Sequence, residues 1–272
     1  MTRFSWNDRI ERAEYLAKTL AFASEVLRFY REVACFQKDL CFYLESTIRV
    51  KNSRIREKSS VLQSLDTALL LPQVIPLLAL VQRVGPTLLA DAAGTLARQD
   101  WTRWEGLILS CWKQNGTPTT KVSEAEMFFV HTLLQPYREH LASANQVSLS
   151  GYGKSSCPFC GGKPQVGVLR AEGYGAKRSL ICWLCSTEWD YRRIGCPACG
   201  EDRSEQLPVY TTSHLEHVRV EACDTCQTYI KTVDLSKDGQ AIPVVDELAM
   251  IPLDLWAQEK GYQKLQWNLL RL

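Results

Sequence analysis

The 272-residue chain has little charge of either sign in excess: its formal net charge is +2. That is too small to imply a nucleic-acid or acidic-membrane partner. Long apolar runs are missing as well. The longest, "ALLLPQVIPLLALV" from Ala68, is broken by Gln73 and two prolines and falls short of the roughly 20 residues a spanning helix needs, so no membrane span is expected. The opening "MTRFSWNDRIERAEYLAK" has no apolar core and no small-residue cleavage site, which points to the cytosol. Also missing are a Cys–His or Ser–His–Asp arrangement, a phosphate-cradling loop and a dinucleotide fingerprint, so nothing recommends an enzyme. The close three-cysteine runs of bacterial ferredoxins are absent, which argues against iron–sulfur clusters.

What is present is cysteine, unevenly distributed. Of eleven, three fall in the first 150 residues and eight between 151 and 245. Cytosolic disulfides are rare, so regularly spaced Cys-x-x-Cys pairs point to metal or redox chemistry. The same division shows in the rest of the pattern. Residues 1–150 carry apolar residues at helical spacing, as at Leu16, Leu20, Ala23, Leu27, Tyr30 and Ala34, and predict a bundle of six or seven helices. Ser60 with Gln63, and Ser123 with Glu126, fit capping boxes at helix starts. "SANQVSLSGYGKSS" reads as a linker. Beyond it, "PQVGVLRAEG", "RSLICWLC", "EWDYRRIGC", "PVYTTSHLEHVRVEAC" and "QTYIKTVDL" read as short strands. Residues 246–272 return to helical spacing, with a break or kink expected at Pro252 and a stop at Gly261. The expected fold class is α+β: an N-terminal all-α bundle (1–150), two consecutive rubredoxin-like or zinc-ribbon β modules (151–245), and a C-terminal helix and tail (246–272).

The eight cysteines form the pairs Cys157/Cys160, Cys182/Cys185, Cys196/Cys199 and Cys223/Cys226. A two-residue gap lets both sulfurs of a turn face one ion, and four thiolates complete a tetrahedral shell. Two shells account for all eight. Pro158 and Pro197 stiffen their turns, and Gly161 and Gly200 allow the positive φ that turns backbone N–H groups toward the sulfurs. Pairing in sequence order is expected, because each metal then closes its own hairpin; a cross-braced arrangement would interleave the pairs. The metals either serve only to hold a small β module together or, since Cys-Pro-x-Cys-Gly is also the rubredoxin turn, include redox-active iron. Spacing does not separate iron from zinc.

Other polar and aromatic residues carry blander readings. Cys35, Cys41 and Cys111 lie in apolar helical sequence and are expected to be buried thiols. His214 and His217, three apart on a strand, face opposite sides and should not share a metal. Phe159, Trp183, Trp189 and Tyr191 are expected to shield the knuckles, and Glu188 and Asp190 to lie on a solvated strand edge. A zinc-ribbon nucleic-acid module is the weakest alternative, since residues 151–245 carry 11 basic and 11 acidic side chains where phosphate binding needs a basic surface.

"CPFCGGKPQVG", "LICWLCSTEWDYRRIGCPACG", "VRVEACDTCQTYIKTVDL" and "VVDELAMIPLDLWAQEKGY" closely resemble the C-terminal half of the formate dehydrogenase accessory proteins of the FdhE type, and "EMFFVHTLLQPYREHLA" resembles the stretch before it. The resemblance covers roughly residues 124–262. It implies a cytosolic maturation factor, not a respiratory enzyme, that associates with the catalytic subunit of formate dehydrogenase and carries two rubredoxin-type metal ions, iron favoured and zinc the alternative. The eight cysteines are its implied ligands. Glu188, Trp189, Arg193, Glu221, Asp224, Tyr229 and Lys231 fall in matching segments without assigned roles. The chain departs from the family at Glu247, where a second aspartate is usual after Asp246, and at Pro252. A stand-alone rubredoxin-like electron carrier is the alternative function, and self-association is left open.

Overall fold

A computed structural model describes residues 4–52, 65–114, 122–144, 152–173, 175–213 and 215–271. The Ser60/Gln63 capping box, His214 and residues 145–151 of the expected linker lie outside the described residues. The described helices and strands follow in the order α1 (Trp6–Thr19), α2 (Ser24–Asn52), α3 (Thr67–Leu70), α4 (Val74–Val84), α5 (Thr87–Leu96), α6 (Trp101–Lys113), α7 (Glu124–Ala144), β1 (Pro164–Glu172), β2 (Gly175–Cys182), β3 (Glu188–Asp190), β4 (Val209–Thr211), β5 (Val218–Cys223), β6 (Thr228–Asp234), α8 (Pro243–Ala249), α9 (Ile251–Glu259) and β7 (Gln263–Lys264). The chain divides into two compact units. One comprises residues 29–146; the other joins residues 1–28 to 147–270. The first 28 residues belong with the strands.

In the helical unit, α7 is buried along most of its length, Glu126, His131, Gln135, Arg138 and Glu139 included, so its polar side chains must find partners inside. Its start is the expected capping box: the Ser123 hydroxyl accepts from the Glu126 N–H at 3.2 Å, and the Glu126 carboxylate accepts from the Ser123 N–H at 2.9 Å. Pro136 inside α7 cannot donate to the Thr132 carbonyl four residues back. The buried Gln37 amide donates to that carbonyl instead, at 3.1 Å. Arg138, also buried, donates to the Cys111 and Trp112 carbonyls at the end of α6, which would otherwise lack partners. Thr67–Val84 is long and apolar enough to cross a membrane by length and composition alone. It is nevertheless divided by a 3₁₀ turn at Leu71–Gln73, and Leu70, Leu77, Leu78 and Val81 on it are buried.

The other unit is built on one sheet of order β3-β2-β1-β6-β5-β4, with β7 beside β6. It consists of two antiparallel meanders, β1–β2–β3 and β4–β5–β6, joined by parallel pairing of β1 with β6. The two β modules therefore share a single sheet. Val166, Val168, Val218, Val220 and Val233 form one buried face with Met250, Leu253 and Ala257 from the C-terminal helices. Those helices are two, separated at Met250 with Pro252 in the first turn of α9, and Gly261 at φ 87° follows their end. The seam between the meanders is tight at Gly167, which lies opposite Thr232. A Cβ there would sit 2.3 Å from the Thr232 Oγ1. Gly167→Ala should therefore destabilise the sheet by about 1–3 kcal/mol, read as a lower denaturant midpoint, and adding Thr232→Ala should recover most of the loss.

Residues 1–28 are bound to this unit by Arg12 on α1. Its guanidinium donates to both Asp246 oxygens, from Nε at 3.0 Å and Nη2 at 2.6 Å, and to Asp238 at 2.6 Å. Burial opposes the arginine's charge, but Asp246 and Asp238 hold its pKa above the ordinary value. His217 Nε2 donates to Asp246 Oδ1 at 2.8 Å. His217, Asp238 and Asp246 have a metal-like spacing, yet the guanidinium already supplies the cation between the two carboxylates.

Candidate metal centres

Three of the knuckles close with the same backbone hydrogen bond. Gly161 and Ser186 donate to the carbonyls of Cys157 and Cys182, and Gly200 to that of Cys196, at 2.9–3.1 Å. The residue after the second cysteine is left-handed in all four: Gly161 at φ 72°, Ser186 at 51°, Gly200 at 84° and Gln227 at 53°. Glycine was expected in that role only at 161 and 200. Backbone N–H groups turn inward as a result, Leu184 toward the Cys182 sulfur at 3.4 Å and Ala198 toward Cys196 at 3.3 Å.

The sheet then brings the knuckles together in sequence order. Cys182 ends β2 and Cys223 ends β5, so each meander carries one knuckle before its first strand and one between its second and third. In the first group the sulfurs of Cys160 and Cys182 are 3.4 Å apart, Cys160 and Cys185 3.5 Å, and Cys157 and Cys185 3.6 Å. In the second, Cys196 and Cys226, and likewise Cys199 and Cys223, are 3.7 Å apart. A tetrahedral thiolate shell with metal–sulfur bonds of about 2.3 Å has sulfurs about 3.8 Å apart. Both groups match that spacing and could hold two metal ions.

The donor chemistry agrees. Burial pushes Cys182 and Cys185 well up and Cys196 up to about 12, while hydrogen bonds from Cys157, Cys182 and Cys185 pull Cys160 well down. Four crowded sulfurs cannot all ionise without a cation among them, and a soft divalent or trivalent ion supplies it. Neither group includes an open position for Lewis-acid catalysis, since four protein donors already complete the shell.

The surroundings correct one expectation and add features the sequence hid. Glu188 does not lie on a solvated edge: its largely buried carboxylate pairs with Arg170 and accepts from the Ser179 hydroxyl. Asp190 does sit at the edge, paired with Lys177 at 2.8 Å. Trp189 is fully buried, and its Nε1 donates to the Lys154 carbonyl at 2.8 Å, fixing the chain that leads into the first knuckle. The Tyr191 hydroxyl donates to the Cys196 carbonyl at 3.1 Å, tying the first meander to the second knuckle. Trp183 is buried and Phe159 half-buried. Cys111 is buried, whereas Cys35 and Cys41 are half-buried. Among the segment-matched residues, Glu221 pairs with Arg178 at 2.5 Å, and Asp224 accepts from the Tyr262 hydroxyl at 2.5 Å.

Residues 156–193 match the family model described as the central domain of FdhE, and residues 194–271 the one described as its C-terminal domain. The boundary between the two falls between the meanders. Residues 156–271, somewhat less than half of the chain, thus match FdhE family models. Among curated relatives, the FdhE homolog of Aquifex aeolicus is 36% identical over 144 residues, 53% of this chain and 51% of that one. The homolog of Pseudomonas aeruginosa is 36% identical over 124 residues, 43% of this chain and 40% of that one. The aligned region thus spans about half or less of these relatives' length. The crystal structure of the FdhE protein from Pseudomonas aeruginosa superposes over 99% of this chain and 97% of that one with a TM-score of 0.73 at 24% identity. That likeness extends the shared fold to the helical unit.

Proposed function

We propose that this protein is a cytosolic accessory factor that binds the catalytic subunit of formate dehydrogenase and is needed for its assembly into active enzyme. The observation that carries the proposal is the pair of complete four-thiolate groups built into one sheet, within a segment that matches FdhE family models. Closed shells suit bracing or electron exchange better than substrate chemistry. Cys157, Cys160, Cys182 and Cys185 hold one ion and Cys196, Cys199, Cys223 and Cys226 the other, iron in the native protein. When bound, such an ion fixes its knuckles and, as iron, can pass single electrons.

Replacing Cys196 and Cys199 together with alanine should abolish formate dehydrogenase activity while the catalytic subunit is still synthesised. The double variant should also fail to co-purify with that subunit. Normal activity in it would overturn the proposal.

The rubredoxin-like turn favours a second reading, electron exchange with the client. Protein purified without oxygen should then contain two irons and show thiolate charge-transfer bands that bleach on reduction. Zinc alone in such a preparation would leave bracing of a docking surface as the role of the centres.

A further inference from the structure

The two thiolate groups are nearly alike in spacing and unlike in exposure. All four cysteines of the first are buried and sealed from solvent, with Leu184 buried beside them. Gly162 is part of that seal, because a Cβ there would lie 3.0 Å from the Cys182 sulfur and 3.1 Å from Leu184. In the second group Cys199 is exposed and Cys226 half-buried. Its neighbours Ala198 and Gly200 are exposed too, and Ile194 is 53% exposed.

A cavity of about 260 Å³ opens beside the second group, walled by Cys196, Pro197, Ala198 and Cys223. It reaches the residue before Cys199. Arg178, Arg193 and Arg219 line it against a single carboxylate, Glu221. Arg178 is 97% buried by its 3% exposure, and its Nε has no hydrogen-bond acceptor. Four thiolates around a divalent ion carry a net charge of about −2, which repels an approaching anion. Arginines at the approach offset that repulsion.

We infer that the second group is an exchange site, at which an incoming anionic thiolate displaces Cys199, while the first group is a permanent staple. Were an ion held there, its bond to the Cys199 sulfur would give way to one with the incoming thiolate sulfur, and Cys199 would leave as a thiolate into solvent, so that charge is conserved. No electron is transferred. Cys199 is the ligand that gives way because its sulfur is the one that solvent can receive without opening the sheet.

The inference rests on both groups holding metal, so metal content is measured first; a protein with no bound metal and eight freely alkylated knuckle cysteines would remove that premise. On full-length protein loaded with two zincs, glutathione and a colorimetric chelator should withdraw one zinc at least about tenfold faster than the other, since exposure governs thiolate attack. Iodoacetamide should label Cys199 before any of Cys157, Cys160, Cys182 or Cys185. Cys199→Ser should remove the fast zinc and keep the slow one with an unchanged far-ultraviolet spectrum. Arg193→Ala, a surface change, should slow withdrawal by glutathione more than by neutral mercaptoethanol. Equal rates for both zincs, or first labelling in the first group, would overturn the inference. Loss of formate dehydrogenase maturation is a separate readout and leaves this one intact.

Discussion

Cys182→Ala should prevent the sheet unit from folding, whereas Cys199→Ala should leave a folded protein short of one ion. Cys182 is buried at the end of β2, where its sulfur is 3.4 Å from that of Cys160. Its loss opens the sealed shell and leaves three thiols crowded in apolar surroundings beside Leu184. Binding of a structural zinc supplies about 10–16 kcal/mol, as much as the whole stability of an ordinary domain, about 5–15 kcal/mol. The core beneath the sheet cannot replace that, since it rests on a few short strands and two short helices. The expected result is loss of the cooperative thermal transition and rapid proteolysis after residue 151, with residues 29–146 still helical. Prolonged chelation of the wild-type protein should reach the same state in two steps, the second metal leaving first. A Cys182→Ala variant that melts within a few degrees of wild type would mean that the first ion adds little to the fold.

The knuckles were legible because their chemistry is local. Two cysteines three positions apart, with proline and glycine at fixed offsets, encode one turn, and four such turns encode two shells. Even there the signal was incomplete: Ser186 and Gln227 take the left-handed conformation that glycine marks at 161 and 200. Neither residue type favours that conformation, so no composition cue identifies it. Sheet fusion was hidden for another reason. The β1–β6 seam pairs Val166 with Lys231, and a register between segments 65 positions apart leaves only the close approach at Gly167, which reads in sequence as an ordinary strand glycine. The same holds for Arg12, whose partners Asp238 and Asp246 lie more than 220 positions away. Short-range periodicity placed the first helix correctly as a helix, but nothing in α1 says which unit it joins. Glu188 was misread because exposure was inferred from its residue type. Its partner Arg170 lies one strand further into the sheet and pairs with it across β2.

Lys231→Met should destabilise the protein by about 3–5 kcal/mol, because it strips one cation from a buried charge network. Lys231 on β6 is fully buried and pairs with Asp254 at 2.5 Å and Glu247 at 3.1 Å. Lys264 on β7 meets Glu247 at 2.6 Å and Asp254 at 3.0 Å. The Tyr229 hydroxyl donates to Asp254 at 2.7 Å, and Asn268 donates to Glu247 at 3.2 Å. Two cations thus face two carboxylates. Burial lowers the Lys231 pKa despite its partners, whereas Glu247 and Asp254 outweigh burial at Lys264 and raise it. Burial works against the Glu247 carboxylate as well, yet Lys231 and Lys264 hold its pKa down to about 2. A depressed carboxylate stabilises the fold above its unfolded value of 4.5 and loses that contribution as pH falls toward 2. Removing Lys231 should therefore shift the acid-unfolding midpoint upward. Lys231→Met combined with Asp254→Asn, which keeps an acceptor for Tyr229 and restores neutrality, should cost less than the lysine change alone. Chemical denaturation of the wild type, both single variants and the pair closes the cycle; a double variant as unstable as the sum of the singles would show that the four charges act independently. The network matters to the second thiolate group because it fixes α8, α9 and β7 against the strand that begins two residues after Cys226. Weakening it should loosen Cys223 and Cys226 ahead of the first group, so Lys231→Met should also speed release of the second ion while the first stays bound.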